Sequence, residues 1–143
     1  MNRLLAAMTV AMPLGLLSTG AFAGETPAPE GAKVYIVSPK DGETVKSPVK
    51  VIFGLEGMGV APAGVSKERT GHHHLLIDSQ MSGDALNEPI PADDMHRHFG
   101  GGQTETVIEL SPGPHRLQLI MGDANHIPHN PPVMSEAVTI TVE

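Results

Sequence analysis

From Lys33 onward, apolar and polar residues alternate with a period of two. In 49–55, Val49, Val51, Phe53 and Leu55 fall on one face of an extended chain, and Lys50 falls on the other. Thr106, Ile108 and Leu110 share a face opposed to Glu105, Val107 and Glu109. His115, Leu117, Leu119 and Met121 oppose Arg116 and Gln118, and Val138, Ile140 and Val142 oppose Thr139 and Thr141. Residues 33–37 and 71–78 carry further short runs, and between the runs lie turn clusters such as Ser111-Pro112-Gly113-Pro114. Period-two runs of this length, punctuated by Gly and Pro, predict β-strands. No segment carries a helical stripe, and 88–96 has room for one helical turn at most. Short alternating strands spaced by turns predict an all-β fold, an antiparallel immunoglobulin-like β-sandwich, with a small β-barrel as the alternative.

The first 32 residues break this pattern. Arg3 precedes an apolar stretch, Leu4 to Leu17, that Pro13 and Gly15 interrupt, and Ala21-Phe22-Ala23 places small residues where a signal peptidase cuts. Residues 1–23 therefore read as a cleavable signal peptide, cut after Ala23. The expected location is the periplasm or the medium, with no membrane insertion after cleavage. Residues 24–32 (GETPAPEGA) read as a flexible leader and 33–143 as one β-sandwich domain.

Composition narrows the chemistry. The 143 residues include no Cys and carry a formal charge of −7. Without Cys there are no disulfides, thiolate zinc sites, iron–sulfur clusters or thiolate-ligated blue copper. The acidic balance and the scarcity of aromatics argue against nucleic acid as a partner. The chain is instead rich in His, with 8 residues.

The histidines fall in four places: His72-His73-His74, His96-Arg97-His98, His115, and His126-Ile127-Pro128-His129. On a strand, His72 and His74 project the same way, about 6–7 Å apart along the chain, close enough to share a cation. His96 and His98 can do the same, and a Pro-rich loop can bring His126 and His129 to one point. Imidazole is a common ligand of copper and zinc. The candidate ligands are His72, His74, His98, His126 and His129, with His73, His96, Met95 and Met121 as weaker ones. Met95 and Met121 enter because a thioether suits copper. Gln103, Glu105 and Asp123 are candidates for supporting the ligands from behind. His73 shares the face of Leu75 and Ile77, and His115 is in phase with Leu117, so both also read as structural. A hydrogen-bonded polar cluster without metal is the alternative for the whole set.

Three segments, GHHHLLID (71–78), HFGGGQTE (98–105) and GDANHIPHNPPV (122–133), together resemble an uncharacterised bacterial family of exported domains, DUF4399. The residues that match its pattern are His72, His73, His74, His98, Gln103, Glu105, Asp123, His126 and His129. The resemblance extends over about 34–142 and implies an exported small domain, with no activity attached. The expected function is periplasmic metal binding, with copper or zinc as the ion and a periplasmic protein as a possible partner. The alternatives are a non-catalytic immunoglobulin-like interaction module and a metalloenzyme, for which Glu105 is the one candidate base and no catalytic residue is assigned.

Overall fold

The computed structural model describes residues 26–143. The strands are β1 (Lys33–Ser38), β2 (Thr44–Val45), β3 (Val49–Glu56), β4 (Gly59–Val60), β5 (Thr70–Ile77), β6 (His96–His98), β7 (Glu105–Ile108), β8 (Gly113–Gly122) and β9 (Val138–Val142). The helical turn expected within 88–96 is instead a single 3₁₀ turn at Gly83–Asn87. In its place, 96–98 extends and joins a sheet as β6.

The strands form two open sheets. One has the order β1-β3-β7, and the other runs β2-β9-β8-β5. The far edge of β5 is shared: β4 pairs with its start and β6 with its latter half. Neither sheet closes on itself, so the barrel alternative does not describe this chain. The alternation seen in the sequence decides what lies between the sheets. Val34, Val49, Val51 and Phe53 from the smaller sheet meet Leu75, Leu117, Leu119 and Ile140 from the larger one in a single apolar cluster. Each such side chain contributes about 1.5–3 kcal/mol on burial, enough to fix the register of β5 against β8.

β5 departs from simple alternation, because Gly71 to Ile77 are all buried. Leu75 and Ile77 face the core between the sheets, while Leu76 faces outward. The outer face is covered by the segment between β5 and β6 and by the segment between β8 and β9. Met81 and Ile90 of the first, with Leu76 and Ile120, form a second apolar cluster there. The sheet is thus covered on both sides around β5, and the outer cover shapes the pocket described below.

Residues 1–23, expected from the sequence to be a signal peptide, lie outside the described residues. Of the stretch read as a flexible leader, the described part touches the domain. Pro27 bridges Asn130, the Ala28 N–H donates to the Asn130 carbonyl at 2.9 Å, and Ala28 and Ala32 pack on the core.

Candidate metal centre

His72 and His74 leave the outer face of β5 side by side, as a period of two requires. β6 pairs with β5 so that His98 lies directly opposite His74. The fourth member comes from the loop after β8. There the Asp123 carboxylate, 5% exposed, accepts the N–H groups of Asn125 at 2.8 Å and Ile127 at 3.0 Å. It also accepts the Thr26 hydroxyl at 2.6 Å. The His126 N–H donates to the Asp123 carbonyl at 2.9 Å, and the Ile90 N–H to the His126 carbonyl at 2.8 Å. These bonds hold His126 at a φ of 67°, a left-handed conformation that a residue with a side chain adopts only where its surroundings enforce it. The turn brings the His126 ring onto the rings of β5.

His72, His74, His98 and His126 each offer a ring nitrogen, and these four nitrogens lie within 4.8 Å of one another. His74 Nε2 is 3.0 Å from His72 Nε2, and His72 Nε2 is 3.2 Å from His126 Nδ1. The His98 ring centroid lies 5.0 Å from those of His72 and His74 and 4.7 Å from that of His126. A tetrahedron with metal–nitrogen bonds of 2.0–2.1 Å separates its donors by about 3.3 Å. These two nitrogen–nitrogen contacts therefore already have the spacing of a coordination sphere.

Protons alone satisfy this arrangement poorly. A neutral imidazole has one N–H and one lone pair. His72 Nε2 faces two other ring nitrogens and cannot serve both well with either. The Nδ1 atoms of His72 and His74 are buried with no hydrogen-bond partner. Charging the rings is no remedy. Burial, and then the neighbouring His98 and His126, push His72 down to about 4. Burial, and then His72, His98 and His126, push His74 down to about 2. His98 is lowered by burial and by His126. At neutral pH the cluster presents converging lone pairs, the complement of a borderline cation.

The remaining histidines stand apart. His129, expected as a ligand, is 1% exposed and sits at the start of β5, where its Nε2–H donates to the Thr70 carbonyl at 3.2 Å. His73 points to the opposite side of the sheet, its ring 5.0 Å from that of Phe53, and neither of its nitrogens has a partner. His96 shares the strand of His98 but is engaged on both sides, by Asp93 at 2.8 Å and by the Ser79 hydroxyl at 2.8 Å. His115 binds the Asp78 carboxylate at 2.7 Å and the Ser111 carbonyl at 2.8 Å. Both partners only accept, so both bonds require the charged ring. Although burial opposes charge, these two acceptors raise its pKa.

The expected soft donors and two of the supporting residues are also elsewhere. Met121 is fully buried in the core between the sheets, paired with His73 and on the side away from the cluster. Met95 is 50% exposed at the surface. Glu105 pairs with Lys50 at 3.2 Å on the exposed face of β7 and β3. Gln103 accepts the Gly101 N–H at 3.0 Å and so braces the glycine turn after β6. Asp123 does support the site, through the loop backbone and not through a ring nitrogen. The centre is therefore all-imidazole.

One glycine makes the cluster possible. A Cβ on Gly122, the cross-strand partner of His72, would lie 2.8 Å from His74 Nε2 and 3.1 Å from its Cδ2. The neighbouring ring is buried and has little room to yield. Gly122→Ala is expected to displace His74 and to weaken any ion held there by at least tenfold, while the far-UV circular dichroism stays that of a β protein. Metal titration of the variant checks this, and unchanged affinity would show that the His74 nitrogen is not engaged.

A family model described as "Domain of unknown function (DUF4399)" matches residues 51–143, well over half of the chain. The match begins within β3, so β1 and β2 precede it. The comparisons with curated proteins and with solved structures give no match.

Proposed function

The chain belongs to the DUF4399 family, a domain of unknown function, and we propose that it is an exported metal-binding protein that holds one copper or zinc ion on His72, His74, His98 and His126. The observation that carries this reading is the convergence of four imidazole nitrogens within 4.8 Å of one another, with His72 Nε2 facing two of them at once. Four nitrogens with no thioether and no carboxylate among them suit Cu(II) and Zn(II), with Cu(II) the tighter of the two by the general order of divalent affinities. The same donor set is a poor match for Cu(I), which favours sulfur.

As part of this reading, residues 1–23 direct export to the periplasm, and the two facing open sheets form an immunoglobulin-like scaffold. The role is buffering or delivery. A purely structural role for the histidines, as in an interaction module, explains His96 and His115, whose ring nitrogens are all engaged, but not the four that face one another.

Calorimetric titration of the metal-free protein with Cu(II), Zn(II) and, under anaerobic conditions, Cu(I) tests the proposal. One site with Cu(II) tighter than Zn(II) is expected. It should be lost in His72→Ala/His126→Ala and kept in His129→Ala. Binding no tighter than about 10 μM, roughly −7 kcal/mol, would return the cluster to a structural role. So would a tight site that survives the double substitution.

A further inference from the structure

Three of the four imidazoles are built into the fold, and one is not. His72 and His74 are 1% exposed. His126 is half-buried on a loop that Asp123 pins at both ends. His98 is exposed, on a three-residue edge strand followed by Phe99 and then Gly100, Gly101 and Gly102. The strand itself is anchored next door. Phe99 is buried, and its N–H donates to the His73 carbonyl at 3.1 Å. The backbone is thereby fixed while the His98 side chain stays exposed to solvent.

Two more observations concern the space around that ring. A Cβ on Gly100 would fall on top of it, so the glycine leaves the position free for an imidazole. His98 also lines a groove of about 610 Å³ between the edge strands β6 and β7, together with Thr106, Val107 and Glu109, whereas His72, His74 and His126 do not. The site is thus closed behind His72 and His74 and reachable from solvent beside His98. The groove has room for a side chain from another molecule.

Resting on the reading of the cluster as a metal centre, we propose that His98 is the exchangeable ligand. The imidazole of an incoming histidine approaches from the solvent-exposed side of His98 and takes its place on the ion. In this step the bond from the ion to the His98 nitrogen breaks as the bond to the incoming nitrogen forms. Both imidazoles are neutral, so no proton and no electron moves. His72, His74 and His126 hold the ion throughout, and the freed His98 ring swings into solvent. The arrangement is one for passing an ion on, since a site meant for permanent retention would bury its fourth ligand as it buries the first two.

Imidazole itself is the probe. Wild-type protein and His98→Ala are each given one equivalent of Cu(II) and titrated with imidazole, followed by visible absorption and electron paramagnetic resonance. His98→Ala is expected to bind Cu(II) at least tenfold more weakly, since even the loss of a supporting contact costs ten- to a hundredfold. It should then take up one imidazole, saturably, and return to the wild-type spectrum. In the wild type the tethered ring competes at an effective concentration on the order of millimolar, so at least tenfold more imidazole is needed. Wild-type affinity and spectrum in His98→Ala would overturn the proposal, as would failure of that variant to take up imidazole. A wild-type protein with no Cu(II) site at all would instead overturn the metal-centre reading beneath it.

Discussion

Loading the protein with one equivalent of Cu(II) or Zn(II) is expected to raise its melting temperature by about 10–20 °C. The ion binds the folded chain through four side chains drawn from three separate segments, at 72–74, 98 and 126, which the unfolded chain cannot assemble. Binding that is confined to the native state stabilises by about 4 kcal/mol when free ligand is a thousand times the dissociation constant. For a domain of this size each kcal/mol moves the midpoint by about 3–5 °C. The cluster also starts from a poor metal-free state, because His72 Nε2 faces two ring nitrogens and can satisfy only one of them. Differential scanning calorimetry with and without metal, and after chelation, measures the shift. A shift below about 2 °C at saturation would mean that any ion sits on exposed side chains outside the cluster. The same scan on His74→Ala should show a shift near zero.

The strands were largely legible because β-structure with one buried face writes itself as alternation. Val49-Lys50-Val51 and Val138-Thr139-Ile140 are inside, outside, inside in both sequence and structure. β6 was not legible as a strand, since three residues with no apolar alternation show no period. Its position comes from pairing with β5, a contact between distant parts of the chain.

Of the site, the His72 and His74 pair followed from strand geometry alone. The choice between His126 and His129 did not. Both lie on the same loop, and the left-handed turn that sends one to the cluster and leaves the other at Thr70 depends on how Asp123 folds the chain back. The choice between His96 and His98 was equally hidden, because only the fold brings Ser79 to His96. The phase of Met121 with Leu117 and Leu119 already places it in the core. The glycines carry a further signal. A glycine adjoins or closely follows each histidine segment or precedes the loop, and at Gly100 and Gly122 the missing side chain is what makes room for a ring.

Acid is expected to destabilise the metal-free protein steeply between about pH 6.5 and 4, and the direction follows from three buried rings. His72 and His73 are each held at about 4, His73 chiefly by burial, and His74 at about 2, against about 6.5 in an unfolded chain. Their folded values lie below the unfolded one, so below pH 6.5 the unfolded chain binds more protons. Their contribution to stability is complete above about pH 6.5 and is lost as pH falls toward 4. Each group costs about 1.4 kcal/mol per pH unit, and three together up to about 4. Over the roughly 2.5 units between pH 6.5 and 4 the loss is about 10 kcal/mol, most of a stability of about 5–15 kcal/mol. His115 acts in the opposite sense: its raised pKa stabilises at low pH and ceases to do so as pH rises through the folded value. Its contribution is already complete at about pH 6.5, so it does not flatten the loss below that point. Denaturant melts between pH 7.5 and 4.5 measure the slope, and a flat profile would mean that the three rings are hydrated and titrate normally. His73→Leu separates the core ring from the cluster. It removes an imidazole whose two nitrogens have no partner in the apolar core, so it should stabilise by about 1–3 kcal/mol at pH 7. It should also take one proton off the acid slope and leave the Cu(II) affinity unchanged. If His73→Leu lost the ion as well, the division of β5 into a metal face and a core face would be wrong.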